Sequence, residues 1–218
     1  MKSKIELVYR ILFIIICFTG IAMHFDINNK YINTHEFSFF TLWSNIFCLA
    51  FMIVLLIKHF AGKDTRSTLL IYFKGMALSC IICTFLIYHF SEHKIILNTD
   101  VVTAFELPLE SIIAHYIVPF MFLFDWILFQ PKGLFKWSYI GTWLAFPLVY
   151  ILSFFTRCAC NSPKAFCNVP KYPYYFLNYD NIGLGKCFIY IAVITVIFAA
   201  VNTIIVFSDK FIPVVKKH

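Results

Sequence analysis

The sequence has few charged residues. Only 13% of its 218 residues are Asp, Glu, Lys or Arg, whereas 61% are apolar. A soluble domain carries about 25% charged residues, so this composition excludes an ordinary soluble enzyme. The sequence also lacks an internal repeat or a low-complexity segment, the marks of a solenoid or a disordered tail. Long apolar runs are present instead, and they predict an integral membrane protein.

Six apolar runs have the length of membrane-spanning helices, which need about 20 residues each. They cover residues 7–25, 37–57, 69–90, 108–129, 138–156 and 186–207. The first run follows two lysines as a signal peptide does, but it contains Arg10 and lacks a clear cleavage site, so we expect a retained helix. The pattern predicts an all-α fold, with residues 1–218 forming one six-helix transmembrane bundle.

Lysine and arginine are concentrated in alternate loops. The N-terminus, the second and fourth loops and the C-terminal tail carry these residues close to the spans, whereas the first and third loops carry only Lys30 and Lys94. Cytoplasmic loops are enriched in Lys and Arg, so both termini are expected in the cytoplasm. The net charge of +7 reflects this asymmetry and predicts no nucleic-acid partner.

The long fifth loop, residues 157–185, is expected on the outer side and contains Cys158, Cys160 and Cys167. An outer location allows a disulfide. Three thiols cannot all pair with one another, so Cys187, just inside the sixth span, is a candidate fourth. Their spacing matches no usual zinc pattern. Which of these cysteines are oxidised stays open.

Polar side chains inside spans mark either helix contacts or function. In the stretch "FFTLWSNIF", Thr41 lies roughly 6 Å along the second span at the rise of an α-helix. Ser44 and Asn45 follow one turn deeper on the same face. His115 lies roughly 10 Å along the fourth span, which enters from the same side. These four residues are therefore expected to share the outer half of the bundle.

Thr41 and His115 have the chemistry of a nucleophile and its base. Ser44 or Asn45 could donate a hydrogen bond to the oxyanion of a tetrahedral intermediate. Ser111, one turn before His115, is the residue expected to orient the histidine. The alternative is that these side chains form hydrogen bonds between helices without any catalysis, as polar residues in spans commonly do.

Pro119 follows His115 by four residues, where it would free a backbone carbonyl in the turn of the histidine. A freed carbonyl allows a local kink. Such a kink favours a pocket beside His115.

The inner half of the bundle contains charged residues. Arg10, Lys74 and Asp125 fall at comparable depth on the first, third and fourth spans. An unpaired charge there is costly, so Asp125 is expected to form a structural ion pair with Arg10 or Lys74.

The stretch "HFSEH", from His89 to His93, matches a zinc-hydrolase pattern in which two histidines bind the metal. A third ligand would be needed, with His35, Glu106 and Glu110 as candidates. A five-residue pattern outside its structural context is weak evidence. A zinc hydrolase therefore stays an alternative, and we expect no metal or other cofactor.

Four segments together resemble one family: "FFTLWSN", "AHYIVPFMFLFDWILFQPKG", "WLAFPLVY" and "YPYYFLNYDNIGLGK". They are similar to the bacterial six-span membrane family related to the androgen-induced membrane proteins of animals, and the resemblance runs from about Arg10 to Phe207. Some animal members hydrolyse fatty acid esters of hydroxy fatty acids with an intramembrane threonine and histidine. The resemblance assigns these roles to Thr41 and His115.

The resemblance implies a lipid hydrolase of the bacterial plasma membrane, with a membrane lipid or fatty acyl ester as substrate. The alternative is a non-catalytic lipid-binding or small-solute membrane protein, in which the same side chains only join helices.

Overall fold

The structure is a computed structural model that describes residues 4–25, 34–92, 108–159 and 171–211. All regular elements in these ranges are helices, which confirms the all-α prediction for this part of the chain. Six are long and apolar enough to cross a membrane, as expected for a multi-pass membrane protein. They are α1 (Lys4–His24), α2 (Phe40–Phe60), α3 (Thr68–Ile87), α4 (Leu109–Phe129), α5 (Tyr139–Ala159) and α6 (Leu184–Phe211).

The helix ends differ slightly from the predicted spans. α1 begins at Lys4 rather than at residue 7, and α6 continues to Phe211 rather than ending at residue 207. Apolar runs detect only the part of a helix that suits hydrocarbon, whereas the hydrogen-bonded helix continues into polar residues beyond it. Which end of the bundle faces the cytoplasm stays a prediction.

α3 lies at the centre and packs against α2, α4, α5 and α6. Five consecutive residues, Ala77 to Ile81, are completely buried. A helix that is buried on all sides belongs to the interior of a bundle. Polar bonds join α3 to its neighbours, because the Ser79 hydroxyl donates to Asn202 on α6, and the Asn202 amide donates to the carbonyl of Ile140 on α5 at 2.9 Å.

α5 and α6 present many large apolar side chains on the outside of the bundle. The exposed residues on these two helices include Leu148, Val149, Leu152, Ile189, Val193, Val196 and Ile204. Large apolar side chains exposed in this number mark a surface of contact with a membrane or another protein. In a six-helix membrane protein it is the surface that suits lipid tails.

The chain before α6 packs over one end of the bundle. A short helix, Tyr175–Leu177, contributes to a small core with Phe154 and Cys187. Cys158 borders this core, and the thiols of Cys158 and of Cys187 on α6 are free. Cys160 and Cys167 lie outside the described residues, so the disulfide prediction stays untested for them.

Candidate functional site

Thr41 and His115 are in contact. Thr41 lies in the first turn of α2, and its Oγ1 is 3.2 Å from Nε2 of His115 on α4. This separation is at the outer limit of an ordinary hydrogen bond and within reach for proton transfer. His115 is buried, whereas Thr41 is partly exposed. The two residues that share a depth in the sequence therefore also face each other across α2 and α4.

The main chain of α4 determines which nitrogen of His115 carries the proton. Nδ1 lies 2.9 Å from the carbonyl oxygen of Ser111. A carbonyl oxygen only accepts hydrogen bonds, so Nδ1 must be the donor. In the neutral ring Nε2 is then the acceptor, and the Thr41 hydroxyl donates to it. Ser111 thus orients His115 through its backbone carbonyl rather than through its side chain.

A π-helical turn, Ile113–Ile117, holds His115. The N–H of Val118 donates to the first carbonyl of this turn, and Pro119 has no N–H. The carbonyl of Ala114 is therefore left without a donor from the next turn, and the side-chain amide of Asn45 donates to it at 3.3 Å. Single π-helical turns of this kind are frequent at functional sites.

Ser44 and Asn45 connect α2 to its neighbours. The Asn45 amide also donates to the backbone carbonyl of Thr41 at 2.8 Å. The Ser44 hydroxyl contacts that same carbonyl at 2.9 Å and the Thr84 hydroxyl at 2.8 Å. These bonds hold the backbone of Thr41 in place. Both side chains are thus engaged within the protein, and the prediction that one of them donates to an oxyanion stays a prediction.

Tyr88 forms one wall of the site. Its ring stacks on the ring of His115, with centroids 3.7 Å apart and an interplanar angle of 17°. Tyr88 begins a second π-helical turn, Tyr88–Glu92, which continues α3. Stacking fixes the plane of the imidazole, while the Ser111 carbonyl fixes its direction. No motif of the sequence distinguishes Tyr88 from the other tyrosines, so its place in the site could not be predicted.

An apolar cavity of about 60 Å³ lies beside Thr41. Aromatic and aliphatic side chains of α2, α3, α5 and α6 line it, among them Phe40, Tyr150 and Phe198. Apolar clefts with a few placed polar groups are the usual form of a small-molecule site. Here hydroxyl groups come from Thr41 and Thr84 and from the tyrosines of the lining.

The zinc pattern "HFSEH" is only partly described. His89 lies in the π-helical turn Tyr88–Glu92, and its Nδ1 is 3.3 Å from the hydroxyl of Tyr116. His93 and Glu106 lie outside the described ranges. Within those ranges, no group of three His, Cys, Asp or Glu residues is arranged to hold a metal ion. The zinc alternative therefore stays untested.

Asp125 binds both candidate cations at the opposite end of the bundle. Its carboxylate contacts Lys74 Nζ at 2.7 Å and Arg10 Nε at 2.9 Å. Arg10 also pairs with Glu6 at 2.8 Å. Asp125 follows His115 by ten residues, or about 15 Å along α4, so this ionic cluster is separate from the Thr41 site.

Six long apolar helices and a Thr–His pair beside an apolar cavity together define an all-α, multi-pass membrane protein with a candidate intramembrane site. Comparisons with models of protein families, with curated proteins and with solved structures found no match for this chain. The family resemblance seen in the sequence therefore stays a prediction.

Proposed function

We propose that this protein is an intramembrane hydrolase of fatty acyl esters, with Thr41 as nucleophile and His115 as general base. The observation that carries the proposal is the 3.2 Å contact between Thr41 Oγ1 and His115 Nε2 at the edge of an apolar cavity. The resemblance to a family with lipid hydrolases among its animal relatives supports it.

The proposed reaction has two halves. His115 Nε2 takes the proton of the Thr41 hydroxyl as Oγ1 attacks the ester carbonyl carbon. The tetrahedral intermediate then expels the alcohol, which receives its proton from Nε2, and the acyl group stays on Thr41. A water molecule next attacks the acyl carbon and gives its proton to Nε2. The fatty acid leaves as the proton returns to Thr41.

The backbone at the start of α2 is suited to stabilise the negative charge that develops on the substrate oxygen. The first N–H groups of a helix have no acceptor within the helix. The N–H of Phe40 donates to the Tyr174 hydroxyl at 3.0 Å. We assign the oxyanion to the following N–H groups, those of Thr41 and Leu42, where the helix dipole also favours negative charge.

The substrate class follows from the cavity lining. Aromatic and aliphatic side chains suit an acyl chain and not a polar head group. The ester carbonyl would then lie at Thr41, the hydroxyl of the wall that contacts His115.

A second candidate function is non-catalytic lipid binding. The hydrogen bond from Asn45 on α2 to the carbonyl of Ala114 on α4 favours this function. It joins the same two helices as the contact between Thr41 and His115, and that contact could likewise serve only to hold the helices together. In this case the cavity holds an acyl chain, and Thr41 only donates to His115.

Labelling with a long-chain fluorophosphonate, together with turnover of fatty acyl esters, separates the two functions. We expect Thr41→Ala and His115→Ala each to lower turnover by at least about 100-fold, the range of general acid–base catalysis. Thr41→Ser keeps a hydroxyl and should retain labelling. Thr203→Ala is the matched control, because that threonine is exposed on α6 and donates only to the carbonyl of Ala199 in its own helix.

Two results would contradict catalysis. One is a folded wild-type protein that neither takes the label nor hydrolyses any ester in a panel of acyl lengths. The other is labelling of Thr41→Ala at the wild-type rate. Retained binding of a fatty acid in the absence of turnover would favour the lipid-binding function.

A further inference from the structure

A second cavity lies at the ionic end of the bundle, away from Thr41. It measures about 50 Å³, and charged side chains form much of its wall: Glu6, Arg10, Arg66, Lys74 and Asp125. It lies between the first turns of α1 and α3, the second half of α2 and the end of α4, and the loops that follow α2 and α4 complete its wall. Arg66, in the loop between α2 and α3, is exposed, so the cavity reaches the surface of the molecule.

The carboxylates of this cavity are already paired. One carboxylate oxygen of Asp125 pairs with Nε of Arg10 and the other with Nζ of Lys74. Glu6 pairs with Nη1 of the Arg10 guanidinium. Three cations and two carboxylates line the wall, which leaves one positive charge in excess. A cation would meet no open carboxylate here, whereas an anion would meet unpaired positive charge.

Lys74 and Arg66 retain hydrogen-bond donors. An ammonium group has three N–H donors. In the described part of the chain, Lys74 Nζ donates a hydrogen bond to Asp125. It also makes a cation–π contact with Phe122, at 3.7 Å from Nζ to the ring centroid. No described carboxylate lies within ion-pair distance of the Arg66 guanidinium. Its planar fork matches two oxygens of a phosphate.

The start of α3 adds positive partial charge to the same cavity. Leu70 and Ile71, from the beginning of this 20-residue helix, line the cavity. The N-cap residue, Ser67, makes no capping bond with its side chain. The first N–H groups of α3 are therefore not engaged by the cap, and the helix dipole favours an anion near them.

We propose that this cavity binds a phosphate group. The Arg66 guanidinium binds the phosphate oxygens at the mouth of the cavity. Lys74 donates a hydrogen bond to the phosphate from the interior wall, and the first turn of α3 contributes backbone N–H donors. The phosphate group belongs either to a membrane lipid or to inorganic phosphate in solution, and basic pockets between membrane helices are known lipid head-group sites. This site is independent of Thr41 and of the proposed hydrolysis.

Binding to the purified full-length protein in an uncharged detergent tests the site. The probes are inorganic phosphate, dioleoyl phosphatidylglycerol, and dioleoylglycerol as the lipid without phosphate. We expect Arg66→Gln to weaken phosphate-group binding about tenfold, the effect of losing a charge-assisted hydrogen bond. Lys63→Gln is the matched control, since it removes the same charge from an exposed position in the same loop outside the cavity, and should change binding less than about twofold.

The two sources of phosphate give different results. Inorganic phosphate that binds and displaces the lipid identifies a site for free phosphate, whereas binding of phosphatidylglycerol alone identifies a lipid head-group site. Both require the loss in Arg66→Gln. Equal binding by Arg66→Gln and wild type, no binding of either phosphate probe, or equal binding of dioleoylglycerol would overturn the proposal. Arg66 is exposed, so its variant should fold, and an unchanged unfolding midpoint without ligand verifies this.

Discussion

His115 is oriented by neutral groups. Its Nδ1 donates to the Ser111 carbonyl, and its ring stacks on Tyr88. A carboxylate in this position would carry a charge into the interior of the bundle, where burial of charge is costly. A backbone carbonyl fixes the same tautomer without that cost. This orientation by neutral groups agrees with the role of general base that we propose for His115.

The ion cluster at Asp125 gives a prediction for stability. Asp125→Asn removes the only negative charge that contacts both Arg10 and Lys74 among the described residues. It leaves the buried Lys74 without a carboxylate partner in that part of the chain, whereas Arg10 keeps Glu6. Breaking a buried ion pair costs about 3–5 kcal/mol. We expect the thermal unfolding midpoint of the purified protein in detergent to fall by many degrees.

Asp180→Asn is the control for this measurement, because it makes the same substitution in an ion pair with Lys171 in which both side chains are about half exposed. Exposed pairs contribute little to stability, so this variant should unfold close to the wild-type midpoint. Equal shifts in the two variants would show that Asp125 is not the electrostatic centre of the cluster.

The irregular turn of α4 involves Pro119 of that helix and Asn45 of α2. Pro119 lacks the N–H that would otherwise be available to the preceding turn, and the amide of Asn45 on α2 donates to the carbonyl that is left. The irregular turn that presents His115 thus depends on a side chain from another helix. This explains why a polar amide occurs in an otherwise apolar stretch of α2.

A double-mutant cycle tests this dependence. Asn45→Ala leaves the Ala114 carbonyl without its side-chain donor and should cost about 1–3 kcal/mol. Pro119→Ala restores a backbone N–H that can reach the freed carbonyls, so Asn45→Ala should cost less in that background. We expect a coupling of at least about 0.5 kcal/mol from denaturant unfolding of the four proteins. Strict additivity would contradict the link between the two residues.

Across the whole molecule, α3 connects the two ends of the bundle. Lys74 lies near its beginning in the ionic cluster, and Tyr88 continues its end into the Thr41 site. Between them, Gly75 leaves room for the ring of Trp143 on α5. A side-chain carbon at Gly75 would overlap the buried ring of Trp143. Helix packing in membranes commonly uses small residues for such approaches.

Gly75→Ala should therefore destabilise the bundle. Overpacking a tight interior costs about 1–3 kcal/mol, and the Trp143 ring must move to admit the methyl group. Gly141→Ala serves as the matched control, since no other group lies within 4 Å of a carbon added there. The readout is the unfolding midpoint in detergent. If Gly75→Ala unfolds at the same temperature as Gly141→Ala, the contact between α3 and α5 is looser than this packing implies.

Much of the architecture follows from local sequence. Six apolar runs correspond to six helices because length and composition alone decide whether a segment suits hydrocarbon. Depth along each span could also be counted, since an α-helix rises about 1.5 Å per residue. These depths placed Thr41 level with His115, and Asp125 level with Arg10 and Lys74. In the structure Thr41 contacts His115, and Asp125 contacts both cations.

The rotation of each helix about its axis could not be predicted from depth along the span, because it depends on packing between residues far apart in the chain. Packing turns the Ser111 carbonyl rather than its hydroxyl toward His115, and it stacks Tyr88 on that ring. Packing also places two cations, rather than one, beside Asp125, and it directs the Asn45 amide to a backbone carbonyl of α4. Depth is a property of one helix, whereas the direction in which a side chain points is a property of the bundle.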